Sequence, residues 1–310
     1  MAKLPHRIIW AFAFGYFVFY APYSGLTKSL TSSGMSGFAI LSPVLAATVV
    51  SALVFLTLMG WWHHLRGMTW TSVVSGFGTA LIIACTTMAY SFRGVSIVLA
   101  LLLMRAGVLI MAPLIDLAFR RTVRWFSWVA LGTAFTALAV SLADQASYDL
   151  TIAAGLNLAI YLSGYLLRLP CMTKCAKIDD PDCTRRYFVQ ELVVALCFLT
   201  VIAFVLSPQT NPTAIKPALL IGVFYTCLYV CGTLIYLDRR ENTFCIALNR
   251  GASVLSGVAA AYALSTAPPT SQLVSTVLII FALLLLSPFH HIFEFAWEFV
   301  RRRVSTTAAP

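Results

Sequence analysis

The sequence predicts an all-α integral membrane protein: ten transmembrane helices set as two inverted five-helix repeats, with both termini cytoplasmic. Composition is the first observation behind this. The 310 residues are 60% hydrophobic and only 10% charged, with a mean hydropathy of +0.88, where a soluble domain carries about 25% charged residues. The second is length, because the apolar runs are continuous and roughly 20 residues long, enough for a helix to cross a ~30 Å hydrocarbon core. The third is the way basic residues alternate between the loops. Lipid offers no partners to exposed backbone groups, so spans must be helices or closed barrels, and a barrel would show alternating strands of about ten residues instead.

The segments fall at residues 8–28, 37–62, 70–90, 95–118, 124–143, 151–172, 188–206, 217–237, 243–264 and 272–292. The opening stretch, MAKLPHRIIWAFAFGYFVFYAPYSG, has a basic head but is too long and aromatic for a signal-peptide core, and it reads as the first span. The connections are short, the longest being TKCAKIDDPDCTRRY at 173–187. On one side the loops and span ends hold Lys28, Arg93 and Lys216. On the other they hold the remaining basic residues, from Lys3 and Arg7 through Arg120, Arg121, Arg124 and Arg168 to Arg301, Arg302 and Arg303. The positive-inside rule makes the richer side cytoplasmic, which puts both termini there and requires an even number of spans. The net charge of +10 is thereby explained by topology, with no nucleic-acid partner. The eight cysteines fit no zinc spacing, and those inside spans behave as small apolar residues.

Two arginines lie inside spans, Arg105 in the fourth segment and Arg250 in the ninth, and 250 − 105 = 145. The same offset carries Tyr16 to Tyr161, Tyr20 to Tyr165, Leu103 to Leu248, and the small residues Ala106, Gly107 and Ala112 to Gly251, Ala252 and Gly257. Five spans per half is an odd number, so the second half (147–310) must enter from the side opposite to the first (1–146). Such inverted repeats place a substrate site near the midplane between the halves. At 1.5 Å per residue, Arg105 and Arg250 sit ~10–15 Å deep. Even the low estimate of the cost of a central arginine, about 2.5 kcal/mol, demands a polar surrounding. A structural ion pair would supply one, but the carboxylates lie in loops or near span ends. Asp116 is eleven residues from Arg105, with Arg120 as its easier i+4 partner, and Glu191 starts the seventh segment. Backbone carbonyls and waters could hold the two cations. The alternative, which the sequence favours, is that they receive an anionic substrate group, since guanidinium suits carboxylate and phosphate.

Tyr16, Tyr20 and Tyr23 share a helical face, and Tyr161 and Tyr165 repeat the spacing, so these tyrosines are candidates to line a cavity, with Asn249 beside Arg250. Asp116 and Glu191 are the only candidates for proton coupling. The pairs His63–His64 and His290–His291 diverge by about 100° on a helix and chelate poorly. No metal or other cofactor is expected, and no nucleotide-binding loop or hydrolytic motif appears.

The stretch LIMAPLIDLAFRRTVRWFSWVALGTAFTALAVSL, residues 109–142, resembles helices four and five of the drug/metabolite transporter superfamily, of the EamA-like kind. The match covers a helix with its proline, a short basic loop and a helix of spaced small residues; the ten-span inverted plan is similar too. Arg120 and Arg121 stand where that family commonly has a glutamate, and Val258 is the counterpart of Pro113, the marks of a divergent branch. The resemblance implies a proton-linked carrier or an exchanger, with a central cavity lined by helices one to four and six to nine. The expected function is therefore secondary transport of a small carboxylate- or phosphate-bearing metabolite by alternating access, in a bacterial inner membrane. Arg105 and Arg250 would bind the anion, and Tyr16, Tyr20, Tyr161, Tyr165 and Asn249 would line the site. Two alternatives stay open, a flippase for a lipid-linked phosphate and a membrane-embedded lipid transferase. Partners are the anionic small molecule and membrane lipids, and a homodimer is left open.

Overall fold

The computed structural model describes residues 6–89, 97–143, 152–175, 180–264 and 270–286. The boundary expected between residues 146 and 147, both termini, Arg93 and the pair His290–His291 lie outside them. The described residues form α1 (His6–Ser32), α2 (Gly37–Met59), α3 (Trp70–Ala89), α4 (Ile97–Ala118), α5 (Trp125–Ala143), α6 (Ile152–Cys175), α7 (Pro181–Leu206), α8 (Ile215–Tyr236), α9 (Asn242–Ala263) and α10 (Thr270–Leu286). No strand occurs among them. Seven of these helices are long and apolar enough to cross a membrane. The outer faces fit that role, with Phe14, Leu58, Phe204 and Val277 largely exposed to the surroundings.

Local chemistry sets the helix ends, and two differ from the sequence expectation. The second segment stops at Met59 because Gly60 turns left-handed (φ 64°), its N–H closing onto the carbonyls of Leu56 and Thr57. His63 and His64 then fall in a separate 3-10 turn, Trp61–Leu65. The seventh helix begins earlier than residue 188. Asp180 caps it by accepting from the Asp182 N–H, and Pro181 occupies the first helical position, where its missing N–H costs nothing. Much of the polar link at 173–187 is therefore helix.

The helices pair α3 with α6 and α1 with α8, α2 with α8 and α3 with α7, and α2 with α7, α4 with α9 and α5 with α10. Advancing every label by five maps these pairs onto one another and α1–α9 onto the smaller α4–α6 contact, whereas α5–α9, α8–α9, α2–α3 and α6–α7 have no counterpart of like extent among the described residues. Small residues permit matching close crossings in the two halves. A Cβ on Gly76 would stand 2.6 Å from the Val194 Cβ and 2.8 Å from the Glu191 carbonyl. One on Gly222 would stand 2.5 Å from the Ala47 Cβ and 2.8 Å from the Thr48 nitrogen. Side chains are excluded at both, which is how membrane helices gain backbone proximity. α9 is the central helix, with 89% of its most apolar window buried.

At one end of the bundle the α4–α5 turn grips the α8–α9 turn. Asp116 does not pair with Arg120 as the i+4 spacing suggested. Arg120 is left-handed (φ 51°), which ends α4 and takes it off the helical register. Asp116 instead caps α9 from a distance. Its Oδ1 accepts from the Asn242 N–H (2.9 Å) and Nδ2 (2.8 Å), and its Oδ2 from the Thr243 N–H and Oγ1 (both 2.8 Å). Arg121 adds a longer ion pair at 3.8 Å. Glu241, which precedes α9 without capping it, accepts from Arg124 Nε (2.9 Å) and Nη2 (3.2 Å) and from Ser127 Oγ (2.7 Å).

Burial pushes the Glu241 carboxyl up, but the hydrogen bonds from Arg124 and Ser127 outweigh it and hold the group below its ordinary value. A carboxyl lowered by folding stabilises the protein above its unfolded value, and that stabilisation is lost as pH falls through the folded one. Thermal unfolding of the detergent-solubilised protein should therefore show a loss of stability on acidification below the ordinary glutamate range. Glu241→Gln should lack that component, its melting temperature at neutral pH already lowered.

Candidate functional site

The tyrosine face expected on the first segment is buried as one surface. Tyr16, Tyr20 and Tyr23 are 6%, 1% and 0% exposed, and their rings follow one another at 5.3 and 5.6 Å. Tyr161 and Tyr165 on α6 are buried likewise, 5.0 Å apart. Tyr225, Tyr229 and Tyr236 on α8 complete an aromatic interior.

Three buried arginines enter it, each with a different kind of partner. Arg105 of α4 is 3% exposed and donates from Nη2 to the Tyr20 hydroxyl (2.7 Å) and from Nη1 to the Tyr161 hydroxyl (3.4 Å), so the two sequence halves each contribute one oxygen. Arg168 of α6 is the second. The sequence assigned it to the basic loop side, whereas the structure buries it at 3% exposure inside the bundle. It donates to Glu191 of α7 through Nε (2.6 Å) and Nη2 (3.2 Å), and to Thr233 Oγ1 (3.0 Å). Glu191, fully buried, also accepts from Ser75 Oγ (2.7 Å) and Thr79 Oγ1 (2.8 Å) of α3. A deep carboxylate thus exists, but it is committed to an arginine that the sequence reading did not place inside.

Arg250 of α9 is the third, at 2% exposure. Its guanidinium carbon lies 4.8 Å from the Tyr165 ring centroid and 5.9 Å from that of Tyr236. None of its Nε, Nη1 and Nη2 has a hydrogen-bond acceptor among the described residues. Cation–π contact at a desolvated site is worth about 2 kcal/mol. Each buried donor left unsatisfied costs about 1–3 kcal/mol, so stacking alone does not balance three of them.

Beside this cluster is a cavity of about 40 Å³, lined by Tyr16, Tyr165 and Tyr236, by Arg168 with Thr79 and Thr233, and by Asn249. That volume holds a few waters at most. Asn249 Oδ1 accepts from the Tyr236 hydroxyl (2.6 Å), which fixes the amide on the cavity wall. Of the residues singled out from sequence, Tyr16, Tyr165 and Asn249 meet at this cavity, Tyr20 and Tyr161 hold Arg105, and Tyr165 also carries Arg250. Asp116 lies apart, its oxygens occupied at the start of α9. Among the described residues no three of His, Cys, Asp or Glu come together as metal ligands.

The site residues that sequence reasoning missed are Arg168, Thr233 and the α8 tyrosines. A signal for Arg168 existed. Tyr161, Tyr165, Arg168 and Met172 follow spacings of four, three and four, the period of one buried helix face. α8 held the same kind of cue, since Tyr225, Tyr229, Thr233 and Tyr236 follow spacings of four, four and three.

No family model matches the chain, and no curated protein matches it. A crystal structure of a protein is similar over 91% of this chain and 98% of its own, with a TM-score of 0.64 at 12% identity. A likeness at that identity is one of fold alone.

Removing one member of a buried ion pair strands the other charge, at about 3–5 kcal/mol, whereas replacing both with apolar groups is often near neutral. Glu191→Leu should therefore strongly lower the denaturant midpoint in detergent, and Arg168→Met with Glu191→Leu should recover most of the loss.

Proposed function

We propose that this chain is a secondary transporter that moves a small anionic metabolite, bearing a carboxylate or phosphate, across the membrane by alternating access. The observation that carries the reading is Arg250. A guanidinium buried to 2% exposure, stacked on Tyr165 and Tyr236 and with three donors unmatched among the described residues, suits an anion that brings two acceptor oxygens. Arg105 is the second cation of the site. Its partners include neutral phenols on α1 and α6, which an anion could replace. Tyr16, Tyr20, Tyr161, Tyr165 and Asn249 complete the lining.

Ten spans in two inverted five-helix halves, with cytoplasmic termini, form the proposed scaffold. The exchange of the main helix pairs when each label advances by five supports it, as does the likeness of residues 109–142 to the EamA-like drug/metabolite transporters. A bacterial inner membrane is the proposed location. Proton coupling, if the carrier uses it, falls to Glu191 rather than to Asp116, because only Glu191 adjoins a cavity-lining side chain, Arg168.

One observation favours a second reading, a flippase for a lipid-linked anion. An apolar groove of about 290 Å³ runs between α1, α9 and α10, lined by Trp10, Phe14, Phe17, Leu248, Leu255 and Leu283, on the helix that carries Arg250.

Reconstituted vesicles separate the readings. Uptake of carboxylate and phosphate metabolites should fall about 10- to 100-fold in Arg250→Ala, the loss expected for charge-assisted hydrogen bonds. Arg250→Lys should be intermediate, since it keeps the charge without the planar fork. Unchanged uptake in Arg250→Ala would remove the anion site, and head-group scrambling without soluble uptake would establish the flippase.

A further inference from the structure

The grip between the α4–α5 and α8–α9 turns exceeds what a connection needs. Asp116 receives both main-chain and side-chain bonds of Asn242 and Thr243. Arg124 and Ser127 converge on Glu241. Arg121 Nη2 donates to the carbonyls of Arg239 (2.5 Å) and Arg240 (3.3 Å). Asn242 Nδ2 reaches on to Thr173 Oγ1 of α6 (3.0 Å). All of these contacts but the last join residues more than a hundred positions apart, and they fix the start of the helix that carries Arg250 two turns later.

The offset of 145 that relates the halves asks what stands at the other end. Asp116 maps to Ala261, and Asn242 and Thr243 map to Ile97 and Val98. The acceptor and both of its side-chain donors are replaced by aliphatic residues. The 145-residue offset therefore does not reproduce these three polar groups at the opposite end.

We infer that the two turns form a latch that holds one face of the carrier shut, so that the protein without cargo rests closed on that face and opens first on the other. The inference rests on the alternating-access reading above. A two-state equilibrium is biased by contacts made in one state alone, and these contacts bridge segments that must part for the cavity to open toward the latch. The charged groups of the latch are Asp116, Arg121, Arg124 and Glu241, with the Asp238–Arg240 pair (3.6 Å) adjoining within the same turn.

Leu228, on the cavity wall, serves as the reporter. Its Cys variant is treated with a membrane-impermeant maleimide in right-side-out and inside-out vesicles without any cargo, and labelling is read at residue 228 by mass spectrometry. Arg124→Ala, and separately the shape-preserving Glu241→Gln, should raise labelling from the latch face about tenfold, the equivalent of one charge-assisted hydrogen bond. Labelling from the other face should not rise. The exchange Arg124→Glu with Glu241→Arg should return the rate toward that of the parent. Equal rates in the parent and both single variants, or a rise from both faces alike, would overturn the latch and leave the turns as a static brace. No anion is present, so the result does not depend on whether Arg250 binds one. Loss of uptake in Arg250→Ala with parental labelling would concern the cargo site only.

Discussion

A guanidinium cannot be left alone in an apolar interior, and much of this bundle's polar chemistry answers that constraint. Three arginines are buried to 3% exposure or less within a shell of tyrosines. Each is met by a different means: a carboxylate for Arg168, phenolic oxygens for Arg105, and ring faces for Arg250. These means differ in strength. The bidentate contact with Glu191 cancels charge and satisfies donors. The hydroxyls take the Nη1 and Nη2 donors of Arg105. The rings do neither fully. The interior therefore grades from a settled corner to an unsettled one, and the unsettled one lies on α9, the most enclosed helix.

Around that chemistry the scaffold is even-handed. Helix pairs exchange when the halves are exchanged, and Gly76 and Gly222 let two crossings close to similar distances. The side chains that give the molecule its character do not follow the same rule. Arg105 and Arg250 occupy equivalent positions but have unlike surroundings, and the Arg168–Glu191 pair is a feature of α6 and α7.

Much of the fold was legible before the structure. Hydropathy located the apolar segments because lipid leaves a helix little freedom, and Arg105 and Arg250 stood out because no loop position explains them. The tyrosine face of α1 followed from a spacing of four and three. What stayed hidden was hidden for physical reasons. Arg168 lies less than two turns from Lys174, so charge counting drew it to the loop, although its spacing from Tyr161 and Tyr165 marked an inward face. Glu191 looked shallow because α7 starts at Pro181 rather than at the first apolar residue, which moves it a further two turns into the bundle. The partnership of Asp116 with α9 spans more than a hundred residues, beyond any local pattern, and Arg120 misled because helical spacing fails where a residue turns left-handed.

The donation of a cap by one helix to another also bears on how the chain is put together. α9 supplies no side chain of its own to close its first turn, and the carboxylate that does so belongs to α4. The first turn of the ninth helix is therefore completed only when it meets a helix made long before it, and that meeting ties late and early segments together. The two portions of the polypeptide are interdependent in assembly, whatever ancestry their shared pattern of crossings records.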